Sequence, residues 1–80
     1  MFDNKSILIT GGTGSLGKAV TRVILDKYTP ERIIIFSRDE LKQYEMEQIY
    51  NHKCMRYFIG DVRDYWRLNQ AMDGVDYVIH

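Results

Sequence analysis

Ile7-Leu8-Ile9-Thr10-Gly11-Gly12-Thr13-Gly14-Ser15-Leu16-Gly17 is the stretch on which the reading of this chain turns. Lys5 to Thr10 is a short aliphatic run that ends in a glycine cluster, which suits a strand covered on both faces. From Ser15 the period changes. Leu16, Ala19, Val20, Val23 and Ile24 recur at steps of three and four and give a helix one apolar face. Between strand and helix, Gly11, Gly14 and Gly17 form G-x-x-G-x-x-G, one residue wider at the front than the dinucleotide pattern G-x-G-x-x-G. Gly11 allows a tight turn, Gly14 lets backbone approach a pyrophosphate, and Gly17 allows close packing of helix on strand. The unpaired N–H groups of the first helical turn then face an anion along the helix dipole. Lys18-Ala19 follow Gly17, so the Gly-Lys-Ser/Thr of a P-loop is absent.

Outward from this turn the chain alternates strand and helix. Pro30 stops the first helix, and Arg32 to Phe36 reads as a second buried strand. Ser37-Arg38-Asp39-Glu40 has the form of a capping box, with Ser37 as N-cap of a polar helix running to about Asn51. Met55 to Ile59 is a third strand closed by Gly60. Asp64 caps a third helix bearing Leu68, Ala71 and Met72, and Gly74 stands just past its end, where positive φ is cheap. Val75 to His80 is a fourth strand. The order β-α-β-α-β-α-β predicts an α/β, Rossmann-type parallel sheet, first half only, with strand order 3-2-1-4. Residues 1–80 are expected to be the N-terminal part of an NAD(P)-binding domain, with no substrate domain.

Composition narrows the function. Eleven basic and eleven acidic residues give a net charge of zero, which leaves no cation surplus for binding nucleic acid through bulk electrostatics. The longest aliphatic run, Ile33-Ile34-Ile35-Phe36, is far too short to span a bilayer, so no membrane partner is expected. The first residues lack the basic and apolar regions of a secretory signal, so the expected location is the cytoplasm. One cysteine, Cys54, and two histidines provide no metal-ligand spacing, and no metal is expected.

The ends of the other strands supply candidate ligands. About 20 residues past Gly17, where a carboxylate would hold a ribose diol, stand Ser37 and Arg38. Both can donate to a 2′-phosphate, Arg38 through two N–H groups at once, and Lys42 adds a cation one turn on. The expected cofactor is therefore NADP, although Asp39 and Glu40 leave mixed use of NAD open. Asp61 can accept from the adenine amino group while Val62 packs on the ring. His80 falls at the end of the fourth strand and is not assigned a catalytic role. All these positions converge on strand carboxyl ends, where open α/β sheets bind ligands.

With these motifs together, the chain resembles the N-terminal part of an extended short-chain dehydrogenase/reductase. More narrowly, it resembles the inverting UDP-N-acetylglucosamine 4,6-dehydratases of bacterial polysaccharide and flagellin-sugar biosynthesis. The narrow resemblance rests on Lys5 to Ser15, on Ile33-Ile34-Ile35-Phe36-Ser37-Arg38-Asp39-Glu40-Leu41-Lys42-Gln43, on Met55 to Asp64 and on Gly74 to His80. It implies that Thr13, Gly14, Ser15 and Leu16 contact the pyrophosphate region, Ser37 to Lys42 the 2′-phosphate, and Asp61 with Val62 the adenine. It also implies a lyase reaction. Hydride leaves C4 of UDP-N-acetylglucosamine, water is lost across C5–C6, and hydride returns at C6 with inversion at C5. That family's tyrosine, lysine and aspartate lie beyond the fourth strand, and no Tyr-x-x-x-Lys pair occurs here, so no catalytic residue is assigned and the 80 residues alone are expected to be inactive. A homo-oligomer is expected of the full-length protein. A sugar-nucleotide 4-epimerase of the same superfamily and a non-catalytic dinucleotide-binding module are the alternatives.

Overall fold

A computed structural model describes residues Met1–His80. Its elements are β1 (Ser6–Thr10), α1 (Ser15–Lys27), β2 (Arg32–Ser37), α2 (Glu40–Ile49), β3 (Met55–Ile59), α3 (Tyr65–Ala71) and β4 (Tyr77–Ile79). The four strands are parallel and ordered β3-β2-β1-β4, as the alternation of elements predicts.

Strand alternation divides the core into two layers. Ile7, Ile9, Ile33 and Ile35 point to one face and pack with Ile24 of α1, Met46 of α2 and Met55. Leu8, Ile34 and Phe36 point to the other, under Ala71 of α3 with Leu68 and Phe58 beside it. The central pair β1 and β2 is thus apolar on both faces. Burial of each such side chain stabilises the sheet by roughly 1.5–3 kcal/mol.

Three details differ from the sequence reading. On α1 the buried residues are Gly17, Thr21 and Ile24, whereas Leu16 is 74% and Val23 49% exposed. The helix is turned because Gly17 lies against Gly12, so the Gly17 side must face the sheet. Thr21 can be buried there because its hydroxyl donates to the Gly17 carbonyl at 2.8 Å.

Ser37 does not cap α2. It ends β2, and Asp39 is the N-cap, accepting from the Lys42 N–H at 2.9 Å. Finally, β4 begins at Tyr77 and not at Val75. Asp76 meets Ser6 partly through its side chain: its N–H donates to the Ser6 carbonyl at 2.8 Å, while its carboxylate accepts from the Ser6 N–H at 2.9 Å in the place of a ladder carbonyl. The strand proper starts at Tyr77, two residues later than expected. On α3, Asp64 is the N-cap and Gly74 adopts φ 73°, both as expected, while Met72 is exposed past the helix end.

Candidate dinucleotide site at the strand carboxyl ends

The parallel register brings the strand ends level: Thr10 lies opposite Phe36, and Ser37 opposite Ile59. Gly11 N–H donates to the Phe36 carbonyl and Gly60 N–H to that of Ser37, both at 2.9 Å. Each crossover loop thus starts as a continuation of the ladder and then opens at the same edge. A cleft of about 460 Å³ lies there, walled by Thr10, Gly11, Phe36, Ser37, Arg38, Gly60, Asp61, Val62, Arg63 and His80.

Its first side is the glycine turn. Gly11 has φ 60°, a conformation that strains any residue with a Cβ. Gly14 N–H donates to the Gly11 carbonyl at 3.1 Å, and Gly14 becomes the N-cap of α1 with no side chain to cap it. No acidic residue stands in the first turn of α1. The N–H groups that open the helix therefore have no intrahelical acceptor. A Cβ on Gly14 would meet only the Gly11 carbonyl, at 3.4 Å, so the space before the helix is open. Gly17 is the opposite case: a Cβ there would lie 2.5 Å from the Gly12 Cα and carbonyl oxygen.

The second side is built from the ends of β2 and β3. Ser37 is buried, and its Oγ accepts from Gln43 Nε2 at 2.9 Å, which leaves its own proton to donate. Gln43 also donates to the Phe58 carbonyl at 3.0 Å, tying α2 to both strands. Arg38 is largely exposed, with Nη1 3.5 Å from Asp61 Oδ2. Arg63 holds the same carboxylate much more closely: Nη2 lies 2.8 Å from Oδ2, and its N–H lies 2.9 Å from Oδ1. These Arg63 bonds, with a smaller contribution from Arg38, keep the Asp61 carboxyl well below the usual carboxylate range. Phe36 stacks on Phe58, whose ring in turn carries the Arg67 guanidinium 4.0 Å from its centroid. On the β4 side, Thr10 Oγ1 lies 2.6 Å from His80 Nδ1.

The expected site residues are thus only partly gathered. Gly11, Ser37, Arg38, Asp61 and Val62 wall the cleft. Thr13, Gly14, Ser15, Leu16 and Gly17 sit beside it in the turn and at the start of α1, with Thr13 buried. Asp39 and Glu40 line a separate shallow depression with Arg38, and Lys42 follows on α2. Sequence reasoning missed Gly12, Gly60, Gln43 and Arg63. A Cβ on Gly12 would lie 2.8 Å from Ile35 Cγ2, and one on Gly60 2.6 Å from Phe36 Cζ, so both let loops cross close above the sheet. Gln43 was detectable as a polar residue three positions before Met46 on the inward face of α2. Arg63 had no signal beyond its place two residues after Asp61.

This arrangement suits a ligand with a phosphate for the open N-terminus of α1 and a flat ring for the cleft between Arg38, Asp61 and Val62. No helix of the chain is long and apolar enough to cross a membrane.

Comparison with known proteins agrees with this geometry. Residues 7–80 match a family described as polysaccharide biosynthesis protein. The chain is 66% identical over 80 residues to the UDP-N-acetylglucosamine 4,6-dehydratase (inverting) of Campylobacter jejuni subsp. jejuni serotype O:23/36 (strain 81-176), covering 100% of this chain and 24% of that protein. It is 47% identical over 87 residues to the UDP-glucose 4-epimerase of Rickettsia typhi (strain ATCC VR-144 / Wilmington), with the same coverage of 100% and 24%. The crystal structure of dTDP-glucose 4,6-dehydratase from Bacillus anthracis str. Ames in complex with NAD superposes with a TM-score of 0.74 at 21% identity, over 92% of this chain and 25% of that one, a likeness of fold. The chain spans about a quarter of the length of the relatives it matches.

Proposed function

The chain belongs to the polysaccharide biosynthesis protein family, and from that premise we propose that it forms the NADP-binding portion of a sugar-nucleotide 4,6-dehydratase. The substrate class is UDP-N-acetylglucosamine, converted to a 4-keto-6-deoxy sugar nucleotide with inversion at C5. Residues 1–80 are then the N-terminal part of the dinucleotide-binding domain of a cytoplasmic, homo-oligomeric lyase. The identity of 66% to an inverting dehydratase, against 47% to an epimerase, supports that reaction over 4-epimerisation.

The observation that carries the dinucleotide reading is the open N-terminus of α1, which has neither a side-chain cap nor an acidic residue in its first turn. The turn fits the group. Gly14 leaves room for a pyrophosphate, and the N–H groups from Ser15 to Gly17 supply donors along the helix dipole. Ser37, Arg38 and Lys42 hold the 2′-phosphate, Ser37 through the hydroxyl proton that Gln43 leaves free. Asp61 Oδ2, held by Arg63 at 2.8 Å and only loosely by Arg38 at 3.5 Å, keeps a lone pair for the adenine amino group. The dinucleotide, when bound, supplies the hydride acceptor and donor for the sugar. The residues of this chain bind and orient it, and proton transfer falls to groups outside these 80 residues.

The test is made on the full-length protein. Incubation with UDP-N-acetylglucosamine and NADP⁺ is expected to give a 4-keto-6-deoxy product inverted at C5. A 4-epimer as product, or no dinucleotide binding at all, overturns the reading.

A further inference from the structure

Asp61 stands between two guanidinium groups that hold it very unequally. Arg63 takes both carboxylate oxygens. Its backbone N–H and Nε reach Oδ1 at 2.9 and 3.2 Å, and its Nε and Nη2 reach Oδ2 at 3.2 and 2.8 Å. Arg38 reaches only Oδ2, at 3.5 Å, well beyond the 2.7–2.9 Å typical of a charge-assisted hydrogen bond. Arg63 belongs to the same short loop as Asp61. That loop is closed by Asp64 N–H donating to the Asp61 carbonyl at 2.8 Å, so the pair is local and preformed. Arg38 comes from the end of a different strand. Both side chains are mostly exposed, 70% for Arg38 and 79% for Arg63, so what separates them is the number and length of their bonds to Asp61. It is the cation that can leave.

We infer that Arg63 is a positioning residue that sets the preference for the 2′-phosphorylated dinucleotide by occupying Asp61 and so keeping Arg38 free for the phosphate. The inference rests on the dinucleotide reading above and adds a specificity residue to it. Without Arg63, Arg38 is the guanidinium left facing Asp61, and attraction between them closes the 3.5 Å gap. Binding NADP⁺ then requires breaking that pair. Binding NAD⁺ does not, because it presents no 2′-phosphate. Loss of Arg63 therefore lowers affinity for one cofactor and largely spares the other.

The experiment titrates NADP⁺ and NAD⁺ separately against the full-length protein as wild type, Arg63→Ala, Arg63→Lys and the double variant Asp61→Asn/Arg63→Ala. Arg63→Ala is expected to weaken NADP⁺ about tenfold, the lower end of a charge-assisted bond, with NAD⁺ changed less than about twofold. Arg63→Lys, whose single ammonium cannot span both oxygens, falls between. The double variant recovers most of the NADP⁺ preference, because the neutral amide no longer captures Arg38. An Arg63→Ala ratio equal to wild type, or equal losses for both dinucleotides, overturns the inference. Should that variant not fold, an Arg63→Lys ratio equal to wild type does the same. Wild-type protein that binds neither dinucleotide sinks the dinucleotide reading itself, a separate and visible result.

Discussion

The three helices of this chain all start where a strand has just ended, yet their first turns are finished differently. In α2 and α3 an aspartate closes the helix: Asp39 accepts from the Lys42 N–H at 2.9 Å and Asp64 from the Arg67 N–H at 3.2 Å. In α1 the corresponding residue is Gly14, which offers no side-chain acceptor, and no acid follows in the first turn. An aspartate N-cap is worth about 1 kcal/mol over alanine but only a few tenths over glycine, so Gly14 leaves the end of α1 bare at small cost to the fold. Capped ends are complete in themselves. The bare end is complete only when something outside the helix accepts its N–H groups, and an anion does so best. On the dinucleotide proposal, the contrast separates ligand-facing backbone from backbone that serves the fold.

The largest effect that bears on this contrast is expected at Gly17. Alanine there puts Cβ 2.5 Å from Gly12 backbone, which cannot swing aside as a side chain can. Gly17→Ala is expected to cost about 3 kcal/mol or more and to displace the start of α1, removing dinucleotide binding with it. Chemical denaturation checks it. A stable Gly17→Ala protein that still binds would break the link between tight packing and the open helix end.

Arg38 comes next. Arg38→Ala is expected to weaken NADP⁺ by about ten- to a hundredfold, as for one charge-assisted hydrogen bond, and to leave NAD⁺ nearly unchanged. Titration calorimetry with both dinucleotides reads the difference, and equal losses would contradict the 2′-phosphate assignment.

The caps themselves sharpen the comparison at the smallest scale. Asp64→Ala and Asp39→Ala are each expected to lower stability by about 1 kcal/mol. Asp64→Ala is expected to leave NADP⁺ affinity within about twofold, since its carboxylate serves a helix and not the ligand. A large loss of affinity in Asp64→Ala would show that the capped ends also face the cofactor.

Sequence alone made the order of elements, the sheet topology and the strand-end location of the cleft legible, because these follow from short periodic signals. Ile7 to Ile9 and Ile33 to Phe36 are unbroken apolar runs, and Gly11, Gly14 and Gly17 sit between strand and helix. Side-chain competition was harder to read. Ser37 and Asp39 are both good N-caps, and Asp39 prevails because Ser37 is drawn into β2 and bonded to Gln43. The α1 periodicity admitted a face through Leu16 and Val23. Contact between Gly17 and Gly12 selects the face through Thr21, a threonine that seeks burial only when its hydroxyl bonds back to the helix. At the site, the pairing of Arg63 with Asp61 depends on how one loop folds, which no periodicity encodes.

The most direct measurement is to give α1 the cap that its neighbours have. Gly14 lies at φ −76°, ψ 175°, extended backbone open to any residue, and Cβ there meets only an ordinary contact. Gly14→Asp in the full-length protein is expected to raise ligand-free stability by about 0.5–1 kcal/mol, through the helix dipole and the lost freedom of glycine. The same carboxylate takes the place of the pyrophosphate and repels it, so the rise in melting temperature on adding NADP⁺ should disappear. A Gly14→Asp protein that keeps the wild-type rise with NADP⁺ would contradict the account, because the phosphate would then be bound somewhere other than the open end of α1.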